Sequence, residues 1–195
     1  SFLFNGSTNL LSGTSSGMNF GTGDFCVEAW VYAPNLAAMT YGNIFNTGSG
    51  GFALLGLNGV IQAGRYQFAG FCQADVAIPE GQWTHVVFTR VSAVCRIFYN
   101  GVLRGYTASN TNSFTNTGFV IGGDSTYNTW WIGNITNLRI TKGSIPSAYS
   151  TSATALGTGV FTPPVALLEN IANCQLCLDA VRSEEHTSEL QSHSF

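Results

Sequence analysis

No stretch as long as a stable helix, about 12 residues, carries apolar side chains at helical spacing before residue 182. What recurs instead is the short run of β-branched and aromatic residues closed off by Gly, Asn or Ser, the mark of strands joined by tight turns. Such runs predict strands near 2–4, 9–11, 25–32, 44–46, 52–57, 66–71, 84–90, 94–99, 102–107, 119–121, 133–141 and 175–178. Alternation is plainest at 25–32, where Cys26, Glu28, Trp30 and Tyr32 face one way and Phe25, Val27, Ala29 and Val31 the other. Asn100-Gly101, between RIFY and VLRGY, is a two-residue type I′ turn, because both central positions need positive φ and these residues supply it. Asn58-Gly59 is a second. Strands at this spacing without crossover helices pack as an antiparallel sandwich or barrel. No internal repeat and no linker divides them.

Composition narrows the class of partner. Charged residues are 9% of the chain, against roughly 25% in an average soluble protein, and six Arg with one Lys leave no basic stripe for nucleic acid. No apolar run reaches the roughly 18 residues of a membrane span, so no membrane insertion is expected. The chain opens at Ser1 and reads as a fragment of a larger parent protein. Its last stretch, RSEEHTSELQSHSF at 182–195, differs in kind, and residues 182–193 resemble a translated sequencing adapter. With one Arg and three Glu it contributes −2 of the formal −3, leaving residues 1–181 near neutrality at −1. Residues 1–181 are therefore taken as one domain and 182–195 as a non-native or disordered tail. The five cysteines include a lone C-x-x-C at Cys174 and Cys177 with neither a second pair nor a nearby His, so all five read as structural thiols.

Seven blocks carry a resemblance. SFLFNG at 1–6, FGTGDFCVEAWVYAP at 20–34, EGQWTHVVFTR at 80–90, RIFYNGVLRG at 96–105, FVIGG at 119–123, IGNITNLRITKG at 132–143 and FTPP at 161–164 follow one another in a familiar order. Over about residues 1–179 the chain resembles a laminin G-like domain of the concanavalin A-like lectin/glucanase superfamily, similar to those of phage tail and tail-fibre proteins and of secreted bacterial proteins. The resemblance implies an all-β fold, a two-sheet antiparallel jelly-roll sandwich whose last strand, CQLCLD, returns to pair beside the first. In that frame Trp83 is expected to anchor its strand in the core, and His85 to alternate outward or lie at a strand edge. Arg139 is expected to pair with Glu28 or a backbone carbonyl.

Catalysis finds little to work with. A glycosidase needs two carboxylates across the scissile bond, and outside the tail only Asp24 and Glu28 are spaced to share a strand face. Asp24 follows Gly23 and reads as a turn residue, and His85 has no acidic partner in sequence. No G-x-S-x-G elbow occurs. The chain is therefore expected not to be an enzyme, with glycoside hydrolase the least favoured reading. Relatives of this fold often bind calcium, and the family's paired acids before LRI are here Thr136-Asn137. Asp124, helped by Asn128 or Asn134, is the remaining carboxylate for calcium; the alternative is a turn Asp bonding its own backbone. No other cofactor is expected.

The segment GGDSTYNTWWIGN at 122–134 holds the mixture that sugars require: aromatic faces for pyranose C–H groups, and short polar groups for hydroxyls. The resemblance implies that Trp131 fills an aromatic core position, so it is assigned to packing, and Asp124, Tyr127, Asn128 and Trp130 to ligand binding, with the polar stretch 109–117 as a neighbouring loop. The expected function is a non-catalytic module recognising cell-surface glycan or polysaccharide, each site weak and strengthened by copy number. Oligomerisation is one route to many copies. A virion surface or the extracellular space is the expected location. The alternative is a structural or protein-interaction domain with no sugar site.

Overall fold

The computed structural model describes residues 1–66 and 70–164 and the backbone of 174–178. The tail at 182–195 lies outside the described residues, as do the side chains of Cys174 and Cys177. In chain order the strands are β1 (Phe2–Asn5), β2 (Leu11–Thr14), β3 (Phe25–Tyr32), β4 (Tyr41–Asn46), β5 (Phe52–Leu57), β6 (Val60–Arg65), β7 (Gly70–Ala77) and β8 (Trp83–Val91). There follow β9 (Val94–Tyr99), β10 (Val102–Thr107), β11 (Gly118–Ile121), β12 (Gly123–Asp124), β13 (Thr129–Trp130), β14 (Ile132–Lys142) and β15 (Cys174–Leu178). One sheet runs β1-β14-β3-β8-β9-β10, with β15 also on β14; the other runs β2-β11-β4-β5-β6-β7. Every strand pairing is antiparallel, which is the expected jelly-roll sandwich.

β15 does not pair with β1 itself. Both lie along the edge of β14 that faces away from β3, β1 against Ile132–Ile135 and β15 against Leu138–Thr141. The two type I′ turns form as expected, with φ of 49° and 79° at Asn58 and Gly59 and 48° and 80° at Asn100 and Gly101. The strand expected at 9–11 forms later, as β2, and the one expected at 66–71 is replaced by β7. Residues 67–69 of that expectation lie outside the described residues.

Between the sheets the core is aromatic. Phe20 stacks on Phe25 with centroids 4.1 Å apart, and Phe52 meets Phe25, Phe88 and Phe114 at 4.9, 4.9 and 5.6 Å. Burying each such ring contributes roughly 1.5–3 kcal/mol. Arg90 caps this cluster: its guanidinium lies 4.8 Å from the Phe25 ring and donates to the carbonyls of Gly21, Gly23 and Asn112. Those bonds tie the 109–117 loop to the start of β3.

The first sheet is also covered on its outer face. Its outward row Arg139, Glu28, Val87, Phe98, Leu103 is set by register. Over it lies a strap, residues 143–161, that packs Ile145, Tyr149, Ala153, Val160 and Phe161 against Cys26, Val87, Phe98 and Leu103. Backbone bonds pin the strap from Leu103 N–H to Thr158, from Gly157 N–H to Leu103 and from Val160 N–H to Gly101. Arg96 Nε adds a bond to the Ala153 carbonyl at 2.8 Å.

The strap bears on two expectations. His85 alternates outward as expected but is buried there, because Phe161 and Tyr149 lie over it. Trp83, two residues earlier on the same face, has no strap residue packed on it and is 41% exposed, so it is not a core anchor.

Candidate functional site

The segment 122–131 leaves the second sheet at the end of β11, forms the β12–β13 ribbon, and enters the first sheet as β14. Gly122 permits the departure: its φ is +78°, and a Cβ there would fall on the Phe4 ring. The ribbon packs on the outer face of the second sheet. Asn43 points outward, since it opposes Leu55 while neighbouring Leu54 packs in the core, and its Nδ2 donates to the Gly123 carbonyl at 3.2 Å. At the far end the Tyr66 hydroxyl and Thr129 Oγ1 are hydrogen-bonded at 3.1 Å.

All four predicted ligand-binding residues therefore sit on one ribbon, but in different states. Tyr127 is 43% exposed at the tip, edge-on to Tyr66 with centroids 5.3 Å apart. Asn128, at φ +53°, is exposed, and its Oδ1 accepts the Trp130 indole N–H at 3.0 Å. Trp130 is half-buried with its ring over Gly123, where a Cβ would collide with it. Asp124 is nearly buried, and its Oδ1 accepts the Thr126 N–H at 2.8 Å, which is the turn arrangement. Trp131 is fully buried as expected, with its ring toward Gly56.

Tyr66 is the site residue that sequence reasoning missed, since nothing local ties it to a residue 63 positions away. Burial raises its phenol pKa, so the hydroxyl stays protonated and able to donate. The 109–117 loop adjoins through the preceding residue, where Arg65 Nη2 donates to the Ser113 carbonyl at 3.2 Å.

Calcium fits this donor set poorly. A hard cation wants several oxygens, including carboxylates, aimed at one point. Asp124 is committed to its own turn, and Thr136 and Asn137 form a bulge with Asn137 at φ +50°. Among the described residues no three His, Cys, Asp or Glu side chains group as metal ligands.

A second polar constellation lies beneath the strap. Arg139 opposes Glu28 in register and ion-pairs with Oε1; Tyr149 donates its hydroxyl to Oε2. His85 Nε2 is 3.3 Å from the same Oε2. All four side chains are buried. Burial holds the His85 pKa down at about 4, so the ring is neutral at pH 7.

The pairing expected of Arg139 with Glu28 is present, and it locks the carboxylate that an acid-base role would use. Asp24 is likewise engaged, accepting the Ser92 N–H at 2.8 Å. Cys26, Cys72 and Cys95 are buried free thiols whose pKa values burial raises, so they behave as small apolar groups.

A family model described as the concanavalin A-like lectin/glucanases superfamily, of laminin G type, matches residues 5–148. No curated protein sequence matches the chain. Among solved structures, a Bacteroides ovatus protein assigned provisionally to carbohydrate binding aligns over 91% of this chain and 50% of its own, with TM-score 0.64 and 13% identity. Domain 4 of AbnA, an extracellular arabinanase from Geobacillus stearothermophilus solved with arabinotriose, aligns over 67% and 65%, with TM-score 0.51 and 22% identity. Domains LG4-5 of the mouse laminin α1 chain align over 83% and 48%, with TM-score 0.55 and 15% identity. The chain thus spans between about half and two thirds of these proteins' lengths, and at such identities the likeness is one of fold.

Proposed function

Because this chain belongs to the laminin G-like family of the concanavalin A-like lectin/glucanases superfamily, we propose that it is a non-catalytic module that binds neutral carbohydrate through its β12–β13 ribbon. The observation that carries this reading is Tyr127, an exposed ring braced edge-on by Tyr66, with Asn128 and Trp130 beside it on the same ribbon. A pyranose needs that combination: a rigid aromatic face for its C–H groups and short polar groups for its hydroxyls. Few charges stand nearby, which suits a neutral ligand better than an anionic one. The names of two structural neighbours, one linked to carbohydrate binding and one solved with arabinotriose, lend support of the same kind.

One shallow site gives weak affinity, and a parent protein presenting many copies raises it by effective concentration. A phage tail fibre or a secreted adhesin, reading a cell-surface glycan, is such a setting.

The test is a glycan array followed by titration of the oligosaccharide that the array selects. Tyr127→Ala is expected to weaken binding by up to about tenfold, the scale of one aromatic contact, with no change in melting. Trp130→Ala is expected to lower both affinity and Tm, because it also frees Asn128 and uncovers Gly123. Unchanged binding in both variants would refute the ribbon as the site, and an array without hits would favour a structural domain.

A further inference from the structure

The two ends of the first sheet's outer face differ. The strap seals the rows around Glu28, and beyond it one row is left uncovered by the described residues. Register places Leu3 of β1 beside Asn134 of β14, Asn134 beside Tyr32 of β3, and Tyr32 beside Trp83 of β8. All four side chains face outward, because their chain neighbours Phe4, Ile135 and Val31 pack in the core and Thr84 is buried. Leu3 is 64% and Trp83 41% exposed, and Tyr32 and Asn134 are half-buried. The Trp83 and Tyr32 rings lie 5.7 Å apart at 46°, forming one shallow angled shelf. Behind it Trp30, half-buried and 5.2 Å from His85, opposes Thr136 and backs the row.

Three inter-strand steps of roughly 4.8 Å give this row a length of about 14 Å. Its side chains are aromatic, aliphatic and amide, without a formal charge among them, which suits a neutral ligand better than an anionic one. An exposed tryptophan in contact with a second ring is the informative case of surface apolarity, unlike a scattered leucine. The open apolar area is on the order of 200 Å², well short of the roughly 800 Å² per partner in a stable protein interface. A short, narrow, uncharged chain with apolar faces and hydroxyl edges matches it better than a folded partner does.

We propose that the Leu3–Asn134–Tyr32–Trp83 row is a second carbohydrate-docking surface, taking a neutral oligosaccharide or polysaccharide chain laid across the strands. It lies on the opposite outer face of the sandwich from the β12–β13 ribbon and shares no residue with it. Trp83 and Tyr32 supply the stacking faces, Leu3 the apolar end of the track, and Asn134, whose Nδ2 donates to Ser1 Oγ at 3.3 Å, an amide oxygen for sugar hydroxyls. With both surfaces occupied, one module bridges two glycan chains, or holds one polymer at two points, and the second contact benefits from effective concentration.

The experiment uses the full 195-residue chain in affinity electrophoresis through gels containing arabinan, xylan, mannan or mixed-linkage β-glucan, with melting curves alongside. Trp83→Leu keeps apolar bulk and removes the ring, so lost stacking is separable from lost packing. It is expected to weaken retardation about tenfold in the gel that retains the wild type, with Tm unchanged within about 2 °C. Combined with Tyr127→Ala it should abolish retardation. Weakening in Trp83→Leu with none in Tyr127→Ala would support this row while removing the ribbon site. The proposal is overturned if Trp83→Leu migrates as wild type, if no polysaccharide retards the wild type, or if Trp83→Leu melts 5 °C or more below it.

Discussion

Arg139→Met should be among the most damaging single substitutions in the domain, and its cost should largely vanish when Glu28 is changed with it. Glu28 is fully buried beneath the strap, and Arg139, 3% exposed, supplies its only full positive charge among the described residues, since His85 is neutral. Removing the guanidinium leaves a buried carboxylate with the Tyr149 hydroxyl and a neutral imidazole for company. Breaking one half of a buried pair costs about 3–5 kcal/mol. At 2–4 °C per kcal/mol for a domain of this size, Tm should fall by roughly 6–20 °C. Glu28→Gln alone strands the arginine and should cost a similar amount. The double variant Glu28→Gln/Arg139→Met leaves no uncompensated charge and keeps an oxygen to accept from Tyr149, so it should lie within about 2 kcal/mol of wild type. Urea titration and thermal melting of all four proteins close the cycle. Single-variant costs below 1 kcal/mol, or a double variant as poor as the sum of the singles, would refute the shared buried pair.

Two further outcomes rest on the same face. The folded His85 pKa, held at about 4 against 6.5 when unfolded, means that the unfolded chain binds more protons between those values. Stability should therefore rise with pH across that window and be lost as pH falls from 6.5 toward 4. The loss is at most roughly 3 kcal/mol, and less because Glu28 at 3.3 Å favours the protonated ring. His85→Gln should flatten that limb relative to wild type in urea midpoints taken at pH 4.5 and 7; parallel limbs would remove His85 from the account. Gly101→Ala should cost about 2–3 kcal/mol and open the strap to protease, since φ is +80° and a Cβ would strike the Phe161 carbonyl. Gly81→Ala, at φ +68° with open space around it, should cost about 1 kcal/mol and leave the strap closed; equal proteolysis of the two variants would count against the strap contact.

What the sequence revealed and what it concealed divide along one physical line. Turns and inner faces are local: Asn100-Gly101 needs only its own φ values, and Phe25, Val27, Ala29 and Val31 need only a period of two. Trp131 was legible as core on other grounds, its place in the blocks that carry the family resemblance. The outer face is not local. Trp83 and His85 differ by two positions and must share a face, yet one is exposed and the other buried. The strap decides between them, and residues 143–161 carry no strand or helix periodicity that would announce a covering layer. The same blindness hid Glu28 as the acidic partner of His85, and Tyr66 as the brace behind Tyr127.

Along β3 the outward residues follow the strap's retreat. Cys26 lies deep in the covered cluster, a thiol that burial keeps protonated, with its pKa pushed up to about 12. Glu28 comes next, still fully covered, and tolerable there only because Arg139 stands beside it in register. Trp30 is half-buried at the strap's margin, and Tyr32 is half-buried in the open row beside Trp83. A single strand thus passes from packing, through a buried ion pair, to a surface fit for a ligand within seven residues, Cys26 to Tyr32. The chemistry of each outward position is matched to its cover: a charge where a partner can be buried with it, and rings where water would otherwise meet the sheet. The strap's cover over Glu28 and the exposure of Trp83 farther along the same face let one sheet carry both its internal clamp and its open aromatic row.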